Sequence, residues 1–100
     1  MEANTQPIMI DKSTLRESMK LAGVTMHEVA DRVGCSYHCV RLTMTYGNEN
    51  MDVIRAGMEL VREANERERA HRALLNDEIR QLHADTHSLY AEGTQATDRQ

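Results

Sequence analysis

The stretch Thr25-Met26-His27-Glu28-Val29-Ala30-Asp31-Arg32-Val33-Gly34-Cys35-Ser36-Tyr37-His38-Cys39-Val40-Arg41 decides how this chain is read. Thr25 and Glu28 stand three apart, the spacing of a capping box, in which hydroxyl and carboxylate each satisfy a free N–H at a helix start. Met26, Val29, Ala30 and Val33 then recur at helical spacing and make one apolar stripe. Gly34 ends that helix, because glycine takes a positive φ without the Cβ penalty. Ser36 is a good N-cap for a second helix, from Tyr37 to about Thr45, with Gly47 placed to close it. The segment reads as helix, tight turn, helix.

A helix-turn-helix needs a small residue where its two helices cross, a turn that accepts positive φ, and apolar residues where the helices face each other. Ala30 is the small residue and Gly34 lies four positions on, with Val29, Val33, Cys35 and Val40 as the inward set.

On these residues, Val29 to Val40 resembles the helix-turn-helix of lactose-repressor-type and phage-repressor-type bacterial regulators, which share the pattern V-A-x-x-x-G-V-S-x-x-x-V. The likeness covers about a quarter of the chain. It implies that the second helix, about residues 36–46, enters the major groove. It also implies that Tyr37, His38 and Arg41 sit at base-reading positions, and that Ser36 caps and touches phosphate. The sequence departs from the pattern late in that helix. A branched apolar residue is usual there, and Thr43 stands in its place between Leu42 and Met44. The large ligand-binding domain of lactose-type repressors is missing, so no sugar response carries over.

The side-chain chemistry points the same way. Arginine can make a bidentate contact to guanine O6 and N7. Tyr37 and His38 carry hydrogen-bonding tips on apolar bodies. The hydroxyls of Thr25, Ser36, Thr43 and Thr45 suit phosphate oxygens, as do backbone N–H groups at helix starts.

Outward from the motif, Thr14 with Glu17 suggests a capping box for an earlier helix starting near Ser13 or Thr14 and ending at Gly23. Residues 1–12 read as a leader or arm. Ile8-Met9-Ile10 either packs beneath the first helix or forms an extended arm. Downstream, Asn50 is an N-cap with Asp52 in the first turn, and residues 13–64 make a DNA-binding core of about four helices.

From Met51 to Leu89 the heptad positions Met51, Met58, Asn65, Arg72, Ile79, Thr86 and Ile54, Val61, Glu68, Leu75, Leu82, Leu89 are apolar at both ends and not in the middle, and residues 65–91 read as a helical dimerisation segment. Leu75, Ile79, Leu82 and Leu89 form a seam that a lone helix exposes, so this segment is expected to dimerise. The Glu- and Arg-rich stretch 63–72 reads as a solvated face held by pairs along the helix. One long helix or two shorter ones fit equally, with Asn76-Asp77-Glu78 as a second start. Residues 92–100 are expected to be a disordered tail.

The chain has 100 residues and a net charge of −4, with 40% hydrophobic residues but no Phe or Trp. A core of Val, Leu, Ile, Met and Ala is therefore small, and oligomerisation would strengthen it. The acidic balance counts against a general nucleic-acid coat, which needs excess cations. It leaves room for a sequence-specific binder, because Val33 to Tyr46 holds Arg41 and no acid. The polar N-terminus lacks a signal-type apolar run, and no segment approaches a membrane span, so the expected site is the cytoplasm with reduced thiols. Cys35, His38 and Cys39 are close, and His83 and His87 are four apart, but neither group completes a four-ligand metal site. No phosphate loop, nucleophile elbow or carboxylate pair marks an enzyme, and no cofactor or small-molecule ligand is expected.

The sequence thus implies an all-α, non-enzymatic, double-stranded-DNA-binding transcriptional regulator of repressor type, acting as a homodimer. The competing readings are a phage-type DNA-packaging or assembly subunit and a helical protein–protein adaptor without DNA binding.

Overall fold

A computed structural model describes the backbone of residues 8–98 and the side chains of residues 8–91. The chain is all-helical: α1 Lys12–Ala22, α2 Met26–Val33, α3 Tyr37–Thr45 and α4 Met51–Asp98. No strand occurs among the described residues, and none of their helices is long and apolar enough to cross a membrane. The chain divides into two compact units after Asn65.

In the first unit the helix starts are set by side-chain caps. Asp11, rather than Ser13 or Thr14, caps α1. Its carboxylate accepts from the Thr14 N–H at 3.0 Å and from the Thr14 hydroxyl at 2.7 Å, which leaves Thr14 inside the helix. At α2 the expected capping box is present: the Thr25 hydroxyl accepts from the Glu28 N–H at 3.1 Å, and the Glu28 carboxylate accepts from the Thr25 N–H at 2.8 Å. Ser36 caps α3 by accepting from the Cys39 N–H at 3.1 Å. Asn50 accepts from the N–H groups of Asp52 and Val53 at the start of α4.

The first two helices end on left-handed glycines, Gly23 at φ 75° and Gly34 at φ 84°. The end of α3 is built differently. Gly47 has no positive φ, and the C-cap is Tyr46 in an extended conformation. Free carbonyls at the last turn attract cations. Arg16 of α1 donates to the Met44 carbonyl, and the Lys12 ammonium donates to the carbonyls of Tyr46 at 2.7 Å and Asn48 at 2.9 Å. The helix α1 therefore closes α3 from outside, and the glycine is not needed.

Packing follows the apolar stripes. Val29, Val40, Met44 and Val53 are completely buried, with Met19, Val24, Ala30 and Ala56 in the same cluster; Ile54 is buried too. Thr43 joins this core at 1% exposure, so the position that departed from the repressor-type pattern still faces inward. Its hydroxyl has no hydrogen-bond partner among the described residues. Gly57 is also buried. A Cβ there would stand 3.0 Å from the Met44 terminal methyl and 3.5 Å from the Met19 sulfur, so α4 meets α1 and α3 where a side chain would crowd them.

Ile8 and Met9 are exposed and precede α1 without regular structure, which places them outside the core. Residues 1–7 of the expected leader lie outside the described residues.

The second unit consists of the rest of α4, one continuous helix from residue 66 with no fresh start at Asn76. Its surface pairs run along the helix: Arg69 with Glu66, Arg72 with Glu68 at 2.8 Å, and Arg80 with Asp77 at 2.9 Å. Arg72, by hydrogen bond and charge, holds the Glu68 carboxyl below the usual carboxylate range. The expected disordered tail is helical backbone over residues 92–98; its side chains, and residues 99–100 altogether, lie outside the described residues.

Candidate nucleic-acid interface

The helices α2 and α3 pack on each other across the Gly34 turn, where the Ala30 carbonyl accepts from Gly34 at 2.8 Å and from Cys35 at 3.1 Å. Ala30 is 5% exposed, as a small residue at a helix contact should be. Because Val40, Thr43 and Met44 turn inward, the 3.6-residue period directs His38, Arg41 and Thr45 outward, and all three are exposed. Tyr37 lies on the Val40 side of the first turn and is exposed as well. Thr25 and Ser36 are exposed too, each with its hydroxyl already accepting a capping hydrogen bond.

Thr43 is the exception among the expected contact residues. It lies three positions after Val40, on the same inner face, and its buried hydroxyl cannot reach a phosphate from there. It belongs to the core and not to the interface.

Two residues that sequence reasoning missed shape this surface. His27, in the first turn of α2, stacks on Tyr37 with ring centroids 4.3 Å apart and planes at 18°. The stack ties the start of α2 to the start of α3. Tyr46, just past α3, lies under Arg41, with the guanidinium carbon 5.5 Å from the ring centroid and a guanidinium nitrogen 3.4 Å from the phenolic oxygen. The guanidinium is therefore presented by an aromatic face that remains half exposed. The signals were faint. His27 lies off the apolar stripe of α2, and Tyr46 lies beyond the helix on which Arg41 sits.

Three other cations of this unit are engaged. Arg32 of α2 is held bidentately by Glu63 at 2.9 and 3.1 Å, with Glu59 at 3.5 Å, and the Glu63 contact raises the Arg32 pKa. Lys12 and Arg16 are committed to the end of α3. Arg41 is thus the one arginine of α3, and its partner is neutral.

Cys35 and Cys39 are free, half-buried thiols packed against the core. Burial, and then the neighbouring Cys39, push the Cys35 thiol up. Cys39 accepts a long contact from the Asn50 amide at 3.8 Å. His83 and His87 stack at 6.2 Å on the second unit. Among the described residues no three His, Cys, Asp or Glu side chains gather where they could hold a metal ion.

The residues expected to dimerise are all exposed: Leu75 at 42%, Ile79 at 60%, Leu82 at 66% and Leu89 at 67%. No protein-family model, curated protein or solved structure matches this chain.

Proposed function

We propose that this protein is a non-enzymatic, sequence-specific double-stranded-DNA-binding regulator that lays α3 in the major groove. The observation that carries the reading is the exposed surface of α3, where His38 and Arg41 lie opposite the buried Val40, Thr43 and Met44 and Tyr37 is exposed in the first turn after the Ser36 cap. Helix-turn-helix domains read bases from that part of the second helix. Arg41, presented over Tyr46, suits bidentate contact with guanine. The exposed hydroxyl of Thr45 and the capped helix starts at Thr25 and Ser36 suit phosphate oxygens.

Selection of bound sequences from a random DNA pool tests the reading. Enrichment of one short motif, lost in Arg41→Ala, is the expected result. A folded protein that enriches nothing and does not bind DNA would place this surface in a protein–protein adaptor instead.

A further inference from the structure

Among the described residues, the second unit carries an apolar face that nothing else in that unit covers. Leu75, Leu82 and Leu89 recur every seven residues, and Ile79 and Thr86 fall midway between them, so the five line one stripe of a continuous helix. In heptad terms the leucines occupy position d, and the β-branched Ile79 and Thr86 occupy position a. That division favours two strands over three or four. The intrahelical pair of Asp77 with Arg80 lies off the stripe.

The flanking charges choose the orientation. One edge of the stripe, position g, bears Glu78 and Asp85; the other, position e, bears Asn76, His83 and Tyr90. In an antiparallel pair like edges meet, so acid would face acid in every register that keeps leucine and isoleucine layers together. The middle register would also set Leu89 against Arg72. In a parallel, in-register pair, g meets the e position five residues on in the other copy. Glu78 then faces His83, and Asp85 faces the Tyr90 hydroxyl, a hydrogen-bond donor opposite each acid.

We infer that the stripe Leu75–Ile79–Leu82–Thr86–Leu89 is the interface of a parallel, in-register, two-stranded homodimer. The occupant is a second copy of this chain. The inference does not rest on DNA binding, and its test contains no DNA. Leu75 to Leu89 spans about 21 Å of helix at ~1.5 Å per residue, so the association is short and concentration-dependent.

The experiment uses the full chain. Sedimentation equilibrium over a wide concentration range should give a monomer–dimer equilibrium. In Leu82→Asp the dimer should be lost, with the methyl resonances of Val29, Val40 and Val53 unmoved, because Leu82 has no place in the core. Orientation is read by mild oxidation of cysteine variants against the wild-type chain, which carries Cys35 and Cys39. Thr86→Cys alone should yield a covalent dimer absent from wild type. Thr86→Cys chains that join only to Leu75→Cys chains would overturn the parallel arrangement. A wild-type monomer at all concentrations, a larger ring, or a Leu82→Asp dimer would each overturn the interface itself.

Discussion

Residues 12–65 and residues 66–91 are both helical and both patterned with apolar residues at helical spacing, yet they use those residues in opposite ways. In the first unit Val29, Val40, Met44 and Val53 are fully buried; in the second Leu75, Ile79, Leu82 and Leu89 stay 42–67% exposed. The difference lies in what the chain supplies opposite each stripe. Four helical segments joined by turns at Gly23, Gly34 and residues 46–50 bring stripe against stripe in the first unit. Among the described residues the second unit is a single helix, with no second element of its own to pack on the stripe. Amphipathic spacing therefore indicates that a face will be covered, while the connections decide whether the cover lies in the same molecule.

The sharpest way to break the comparison is to shorten one apolar side chain in each unit. Met44→Ala should lower the stability of the first unit by about 2–5 kcal/mol, the usual cost of emptying a fully buried methionine site. Leu82→Ala should leave the chemical-denaturation midpoint of that unit unchanged while weakening self-association. Equal losses in both variants would mean that the two units fold as one cooperative body.

Within the first unit, core and surface separate along a single helix. Arg41→Ala should cost on the order of 1–3 kcal/mol in specific DNA binding with no change in melting temperature. Tyr46→Ala should weaken binding by less, since it removes the support and not the contact. A binding isotherm unchanged in both variants would detach α3 from DNA recognition.

A smaller effect is expected at the turn. Gly34 holds φ at 84°, and a Cβ built there meets open space. Gly34→Val should thus lower stability by about 1–2 kcal/mol through backbone conformation alone, without overpacking. A thermal melt matching wild type would show that the turn relaxes freely.

The smallest effect concerns the cap of α1. The Thr14 hydroxyl, then the Thr14 N–H and the Ser13 hydroxyl, hold the Asp11 carboxyl below the ordinary carboxylate range. A folded-state pKa below the unfolded one adds stability that is present above the unfolded value and is lost as pH falls through the folded value. Asp11→Ala should therefore melt lower than wild type at neutral pH, and the two curves should converge in acid. A gap that persists below the carboxylate range would assign the loss to something other than the charged cap.

What the sequence determined by itself is local: the capping box at Thr25 and Glu28, the Ser36 cap, the left-handed turn at Gly34, and the stripe that sends Val29 and Val40 inward. Each depends on residues within one turn of helix, where spacing in the chain is spacing in space. Hence the all-α fold and the exposure of Tyr37, His38 and Arg41 were legible. Other features needed the tertiary structure. Asp11 displaced Thr14 as the cap because the carboxylate could accept several hydrogen bonds at once. Thr43 looked like a surface hydroxyl, but the way α3 packs turns that position into the core. Gly47 looked like a helix stop, until Lys12 and Arg16 of α1 satisfied the carbonyls at the end of α3. The stack of His27 on Tyr37 and the crowded approach at Gly57 likewise join residues far apart in the chain. Such contacts depend on how helices meet, and sequence spacing carries no measure of that distance.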